Sequence, residues 1–211
     1  MKLLRSLLLI LFLTPFTPAQ ATPATDLTNL LNSVHTMKSD FVQTVYDGHG
    51  KTIQSSDGKM ALDRPGKFRW EVKKPIPQLI IANESRLWIY DSDLDQVTIR
   101  TLKQAAGDTP ALLLSHAGTT LETDYTVTVI NQKPAELSWY SLKPKNQDNM
   151  FAAVQMGFDK NDIKQMRLED HLGHTTKIEF KHIQTNVDLP GTLFSFKAPK
   201  GVDVIDETRH R

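Results

Sequence analysis

The chain has 211 residues, with 25 lysines and arginines against 24 aspartates and glutamates, and it contains no cysteine. A charge so close to neutral gives no support to a polyanion partner, nucleic acid included. The missing thiol excludes disulfides, thiolate catalysis, Cys-ligated zinc and lipidation on an N-terminal cysteine.

Residues 1–21 have the form of an export signal: Lys2 and Arg5, an apolar run over 7–13, breaks at Pro15 and Pro18, and Ala19-Gln20-Ala21 as a cleavage site. That run is too short to span a bilayer, and no later stretch approaches the roughly 20 apolar residues of a membrane helix. A mature, exported, soluble protein of one domain over 22–211 is expected. Cleavage takes the 25 basic residues to 23 against 24 acidic ones, a net charge of about −1.

Leu27, Leu30, Leu31 and Val34 follow at helical spacing, with Thr25 or Asp26 as N-cap, and predict a short amphipathic helix. The period then changes to two. Strands are expected at 41–46 and 52–56, separated by Asp47-Gly48-His49-Gly50, and Asp57-Gly58 is expected to turn again. Next, Met60, Leu62 and Arg64 share one side of a strand that Pro65-Gly66 ends; Phe68, Trp70 and Val72 share one side of its successor, alternating with charged Lys67, Arg69, Glu71 and Lys73. Arg64 is thus in register with an apolar face, a costly position for a guanidinium unless acceptors lie nearby.

After Lys74-Pro75-Ile76-Pro77, strands are expected at 78–82, 86–90 and 97–100. At 107–115 Asp108 or Thr109 can cap, Pro110 suits the first helical position and Leu112, Leu113 and Leu114 follow, which predicts a short apolar helix. Strand patterns resume at 125–130, 136–142, 151–158, 163–170, 175–182 and 193–197. About ten short strands with two short helices indicate a curled antiparallel sheet, wet on one face and covered on the other. Either a packed sandwich or a lined hollow satisfies that pattern.

No catalytic constellation stands out. His171 and His174 flank Leu172-Gly173 and fit a hairpin turn better than a metal pair, since nothing at a recognisable spacing completes a zinc site. Asp91, Asp93 and Asp95 lack the glycine and closing glutamate of a calcium loop. There is no G-x-S-x-G, Ser115-His116 is adjacent rather than triad-like, and no phosphate-binding glycine loop occurs. No enzyme, cofactor or metal is expected. Met60, Met150, Met156 and Met166, with Phe68, Trp70, Trp88, Phe158, Phe180, Phe194 and Phe196, fit either a core or a flexible apolar lining.

Several stretches together resemble the outer-membrane lipoprotein carrier protein (LolA) family. They are Asp63-Arg64-Pro65-Gly66-Lys67-Phe68-Arg69-Trp70, Leu87-Trp88-Ile89-Tyr90-Asp91 with Asp93-Leu94-Asp95-Gln96-Val97-Thr98, and Asp108-Thr109-Pro110-Ala111-Leu112-Leu113-Leu114. Phe41-Val42-Gln43-Thr44 before Asp47-Gly48, and Phe194-Ser195-Phe196 before Pro199-Lys200-Gly201-Val202, fit as well. Asn83-Glu84-Ser85 departs from the family's usual Asp-Gly-Lys turn. The related receptor family, LolB, is anchored through a lipidated cysteine that this chain lacks.

The resemblance implies a mainly β fold: an incomplete, unclosed antiparallel barrel with short helices forming a lid over a hydrophobic cavity. It implies a monomeric periplasmic carrier that takes lipoproteins from an inner-membrane ABC transporter by their acyl chains and gives them to the outer-membrane receptor LolB. Arg64 would latch the lid. Met60, Leu62, Phe68, Trp70 and Trp88 would line the cavity and its mouth, and Leu27, Leu30, Leu31, Leu112, Leu113 and Leu114 would belong to the lid. A periplasmic interaction module with a filled core, binding a protein partner by its surface, is the alternative.

Overall fold

The alternating segments pair into one sheet. In a computed structural model, residues 21–83, 85–102, 110–115, 121–131, 136–146 and 149–208 are described. Helix α1 (Pro23–Asn32) precedes β1 (Thr36–Tyr46), β2 (Thr52–Asp63), β3 (Lys67–Lys74), β4 (Gln78–Asn83), β5 (Arg86–Asp91) and β6 (Gln96–Thr101). Then come a 3-10 turn (Pro110–Leu114), α2 (Leu121–Asp124), β7 (Tyr125–Ile130), β8 (Ser138–Pro144), β9 (Phe151–Asp159), β10 (Asp162–Asp170), β11 (Thr175–Thr185), a second 3-10 turn (Gly191–Phe194) and β12 (Asp203–Asp206). The expected signal segment lies outside the described residues up to 20, as do Asp108, Thr109 and His116.

The strand order is β12-β6-β5-β4-β3-β2-β1-β11-β10-β9-β8-β7. Every neighbouring pair is antiparallel except β12 with β6, which run parallel. The end strands β7 and β12 do not pair with each other, so the barrel is unclosed. One core fills the concave side and includes Phe41, Met60, Phe68, Met156, Met166 and Phe180. A smaller apolar layer lies on the opposite side of β4 to β6, where Ile81, Val97 and Phe194 are buried.

Four local expectations need correction. Asp57-Gly58 is not a turn: β2 runs through it, with Gly58 opposite Phe41. A Cβ at Gly58 would lie 2.0 Å from the Glu71 carbonyl oxygen and 2.6 Å from Phe41 Cζ. The glycine is there because the Phe41 ring covers it and stacks on Trp70, centroids 3.7 Å apart. Residues 193–197 are a 3-10 turn and an extended segment rather than a strand, and the strand of this region is the unforeseen β12. Helix α1 starts earlier than expected, capped by Thr22, whose Oγ1 accepts from Thr25 N at 3.2 Å, with Pro23 in the first turn. The segment at 110–114 is a 3-10 rather than an α-helical turn.

Candidate functional site: a lid fastened at one turn

Two apolar pieces close the concave face. From α1, Leu27 and Leu31 are buried and Leu30 is partly so; from the 110–114 turn, Leu112 and Leu114 are buried and Leu113 partly. All of them pack on the cluster that contains Met60, Leu62, Phe68 and Trp70. The i, i+4 spacing that predicted an amphipathic helix therefore delivers its leucines to the sheet.

The two lid pieces meet the protein at the same place, the turn between β2 and β3. Arg64 Nη1 donates to the carbonyl of Val34, just past the end of α1, and Arg64 N donates to the His35 carbonyl at 2.9 Å. Two residues further in the same turn, Gly66 N donates to the Ser115 carbonyl at 3.0 Å. Ser115 is itself buried, and its Oγ donates to the Leu112 carbonyl at 2.8 Å. Arg64 thus finds its acceptor in backbone oxygen at the α1 side of the lid, while its neighbour holds the other side.

The arginine is incompletely satisfied. Burial lowers its pKa from the usual 12.5 to about 10, so it remains a cation at neutral pH, and its Nε is buried with no partner among the described residues. Beside it is an interior space of about 10 Å³, lined among others by Leu31, Leu62, Leu114, Phe158 and Ile163. That is at the lower limit for a single water molecule. Here the two apolar pieces lie closed over the concave face, and the space beneath Arg64 is smaller than an acyl chain.

Asn186 is a positioning residue that sequence reasoning missed. Its Oδ1 accepts from His35 N at 2.8 Å and its Nδ2 donates to the Ser33 carbonyl at 3.2 Å. Both atoms clamp the segment that links α1 to β1. Its φ of 54° lies in the left-handed region, where asparagine is enriched, and that preference is the signal that could have found it. At the other end of α1, Thr22 Oγ1 donates to Glu122 Oε1 at 2.8 Å, and an open cleft of about 440 Å³ runs between α1 and β8.

The candidate lining residues divide. Met60, Leu62 and Trp70 lie buried on the concave face. Phe68 lies there too, but it is fully buried against the lid and core and is not at an open mouth. Trp88 is misplaced by the expectation: Leu87 and Ile89 face the core, so Trp88 and Tyr90 face outward and pack on Phe196, at centroid distances of 6.5 and 5.9 Å. The His171 to His174 segment is a turn in which His174 Nδ1 is 2.9 Å from Asp170 Oδ2. Among the described residues no group of three histidines or carboxylates could hold a metal ion.

Residues 32–197 match the family described as outer membrane lipoprotein carrier protein LolA. The chain belongs to this family. Relatives bearing the name outer-membrane lipoprotein carrier protein include that of Dechloromonas aromatica, 40% identical with 84% of each chain covered, and that of Chromobacterium violaceum, 43% identical with 81% of each covered. Among solved structures, an uncharacterised conserved protein of Thermus thermophilus aligns with a TM-score of 0.57 at 12% identity, over 88% of this chain and all of its own. A LolA superfamily protein of Nitrosomonas europaea aligns with a TM-score of 0.50 at 10% identity, over 83% and 99%. At those identities the two structures establish a shared fold, the unclosed sheet of the LolA family.

Proposed function

We propose that this chain is a periplasmic carrier, mature from about Thr22, that binds the acyl chains of lipoproteins released by an inner-membrane ABC transporter and passes them to the receptor LolB. The relatives carry the name of that activity. The observation that supports a lid mechanism is that both lid pieces are fastened to the single β2–β3 turn, by Arg64 to Val34 and by Gly66 to Ser115. The role requires no catalytic group.

Magnitudes explain why a carrier has such a lid. Enclosing one C16 chain is worth on the order of 12 kcal/mol, at about 0.8 kcal/mol per CH₂. Two or three fully enclosed chains would exceed the roughly 18–21 kcal/mol at which non-covalent affinity saturates, and could not be released. Loading this protein requires lifting Leu27, Leu31, Leu112 and Leu114 from their sites. At about 1.5–3 kcal/mol per leucine, that opposes binding by roughly 6–12 kcal/mol. The lid leucines and the acyl chains compete for one face, and cargo is held by the difference.

Arg64 biases this competition toward closure by a charge-assisted bond worth about 1.5–3 kcal/mol. The Arg64→Leu variant is expected to load triacylated lipoprotein from transporter-bearing membranes but to deliver it to receptor-bearing liposomes about tenfold or more less well. Delivery at the normal rate would overturn the latch. The alternative is a module that binds a protein partner by its surface. Mass spectrometry of the protein purified from the periplasm separates the two readings: a carrier brings triacylated lipoproteins with it and a surface-binding module does not.

A further inference from the structure

Eight large apolar side chains are prominently exposed among the described residues; four of them occupy turns at one end of the sheet and a fifth, Ile53, lies at the start of β2 at that same end. At the end away from Arg64, Leu94 follows β5, Ile76 lies between β3 and β4, Ile53 sits at the β1–β2 hairpin, Leu172 tips the β10–β11 hairpin and Met150 precedes β9. They range from 51% exposed at Met150 to 80% at Leu172. The opposite end presents Pro65, Ser85, Lys160, Asn161 and Asn186 in its described turns.

The apolar tips form a braced rim. Ser92 Oγ donates to the Pro77 carbonyl at 3.3 Å, joining the Leu94 turn to the Ile76 turn. His171 Nε2 lies 2.8 Å from the Asn149 carbonyl oxygen, joining the Leu172 turn to the Met150 turn. The β1–β2 and β10–β11 tips adjoin, since a Cβ on Gly48 would stand 3.7 Å from the Gly173 oxygen.

Spacing and charge identify the partner. With strands about 4.8 Å apart, side chains on successive hairpins stand roughly 10 Å from each other and form no contiguous patch. The core of a protein interface is a continuous apolar area, whereas a bilayer surface closes around each isolated tip. Lys51 beside Ile53 and Lys74 beside Ile76 form no ion pair among the described residues, so both ammonium groups can meet phosphate. The nearby carboxylates of Asp47 and Asp170 are turned inward to the amides of their own turns. Asp93 and Asp95 oppose anionic phosphate at the Leu94 turn, which places that turn at the margin.

We infer that this end of the sheet docks reversibly on the phosphate-bearing surface of a bilayer, with Ile53, Ile76 and Leu172 entering the headgroup layer and Lys51 and Lys74 on the phosphates. Docked this way, the carrier holds its Arg64 end away from the membrane.

The absence of native cysteine allows a direct test on the processed protein from the periplasm. Leu172→Cys and, at the opposite end, Ser85→Cys would each carry a polarity-sensitive fluorophore and be mixed with phosphatidylethanolamine–phosphatidylglycerol vesicles. The emission should shift to the blue at position 172 and stay unchanged at 85. Combining Ile53→Ser, Ile76→Ser and Leu172→Ser should weaken vesicle binding by about tenfold or more at an unchanged unfolding temperature. No shift at 172, an equal shift at 85, or vesicle binding untouched by the triple substitution would overturn the inference. So would a shift at 172 that needs a membrane protein in the vesicles, which would assign the face to a protein partner.

Discussion

Arg64 and Asp170 are two charged residues with opposite degrees of satisfaction. Arg64 has a bond to Val34 from Nη1, a buried Nε with no partner among the described residues and a pKa lowered by burial to about 10. In the proposed carrier, such a guanidinium would hold the lid less firmly than a fully bonded one and let go at lower cost, as a part that opens requires. Asp170 accepts from the amides of Leu172 and His174 and from the His174 ring. Its burial alone would raise the carboxyl pKa, but those bonds together outweigh burial and hold it below the usual value. A depressed carboxyl contributes stability that is complete above the unfolded-state pKa near 3.9 and is lost as pH falls through the lower folded value. Asp170→Asn is therefore expected to weaken the fold at pH 7 and to change it little near pH 2. Urea unfolding at both pH values checks this, and an equal loss at the two would contradict it.

At the scale of elements, the proposed lid mechanism gives α1 two roles that pull apart. Leu31→Ala should cost about 2–5 kcal/mol of folding stability, because a buried leucine leaves a cavity, yet it should make cargo bind more tightly because the competing lid is lighter. Thermal unfolding together with lipoprotein retention measures both; tighter folding or looser cargo would refute the competition. Elements with a single apolar stripe were the ones legible in the sequence, such as α1 and the pairing of Met60 and Leu62 with Trp70 and Phe68 across the Pro65-Gly66 turn. Legibility failed where both faces of a strand are apolar. In β5, Leu87 and Ile89 alternate with Trp88 and Tyr90, and nothing local says which pair faces the core. The decision comes from residues 191–196, more than 90 positions later in the chain, whose Phe196 covers the outer pair. Gly58 deceived for a similar reason, since the ring that demands a glycine belongs to Phe41 on another strand. The need of Arg64 for an acceptor follows from its register, and the resemblance points to oxygens of the 27–34 or 109–115 segments; which one serves was not legible, because Val34 accepts from Arg64, and Ser115 from Gly66, through backbone carbonyls that any residue type supplies.

For the whole molecule, the closed position of the two lid pieces predicts a low affinity of the resting protein for an environment-sensitive hydrophobic dye, since the space beneath Arg64 is only about 10 Å³. Arg64→Leu should raise dye fluorescence severalfold by populating the open state; a signal equal to that of the unaltered protein would mean that the lid does not shield the face. The gap in the sheet bears on which cargo fits. In a closed barrel, strand number and stagger together set the diameter, and a thicker guest must be refused or accommodated by repacking side chains. Here β7 and β12 end the strand order without pairing. The girth of the sheet is therefore not fixed by any ring of hydrogen bonds, and the strands can coil tighter or looser around their contents while every ladder stays intact. A molecule built as an open cuff can grip guests of different cross-section with one set of side chains.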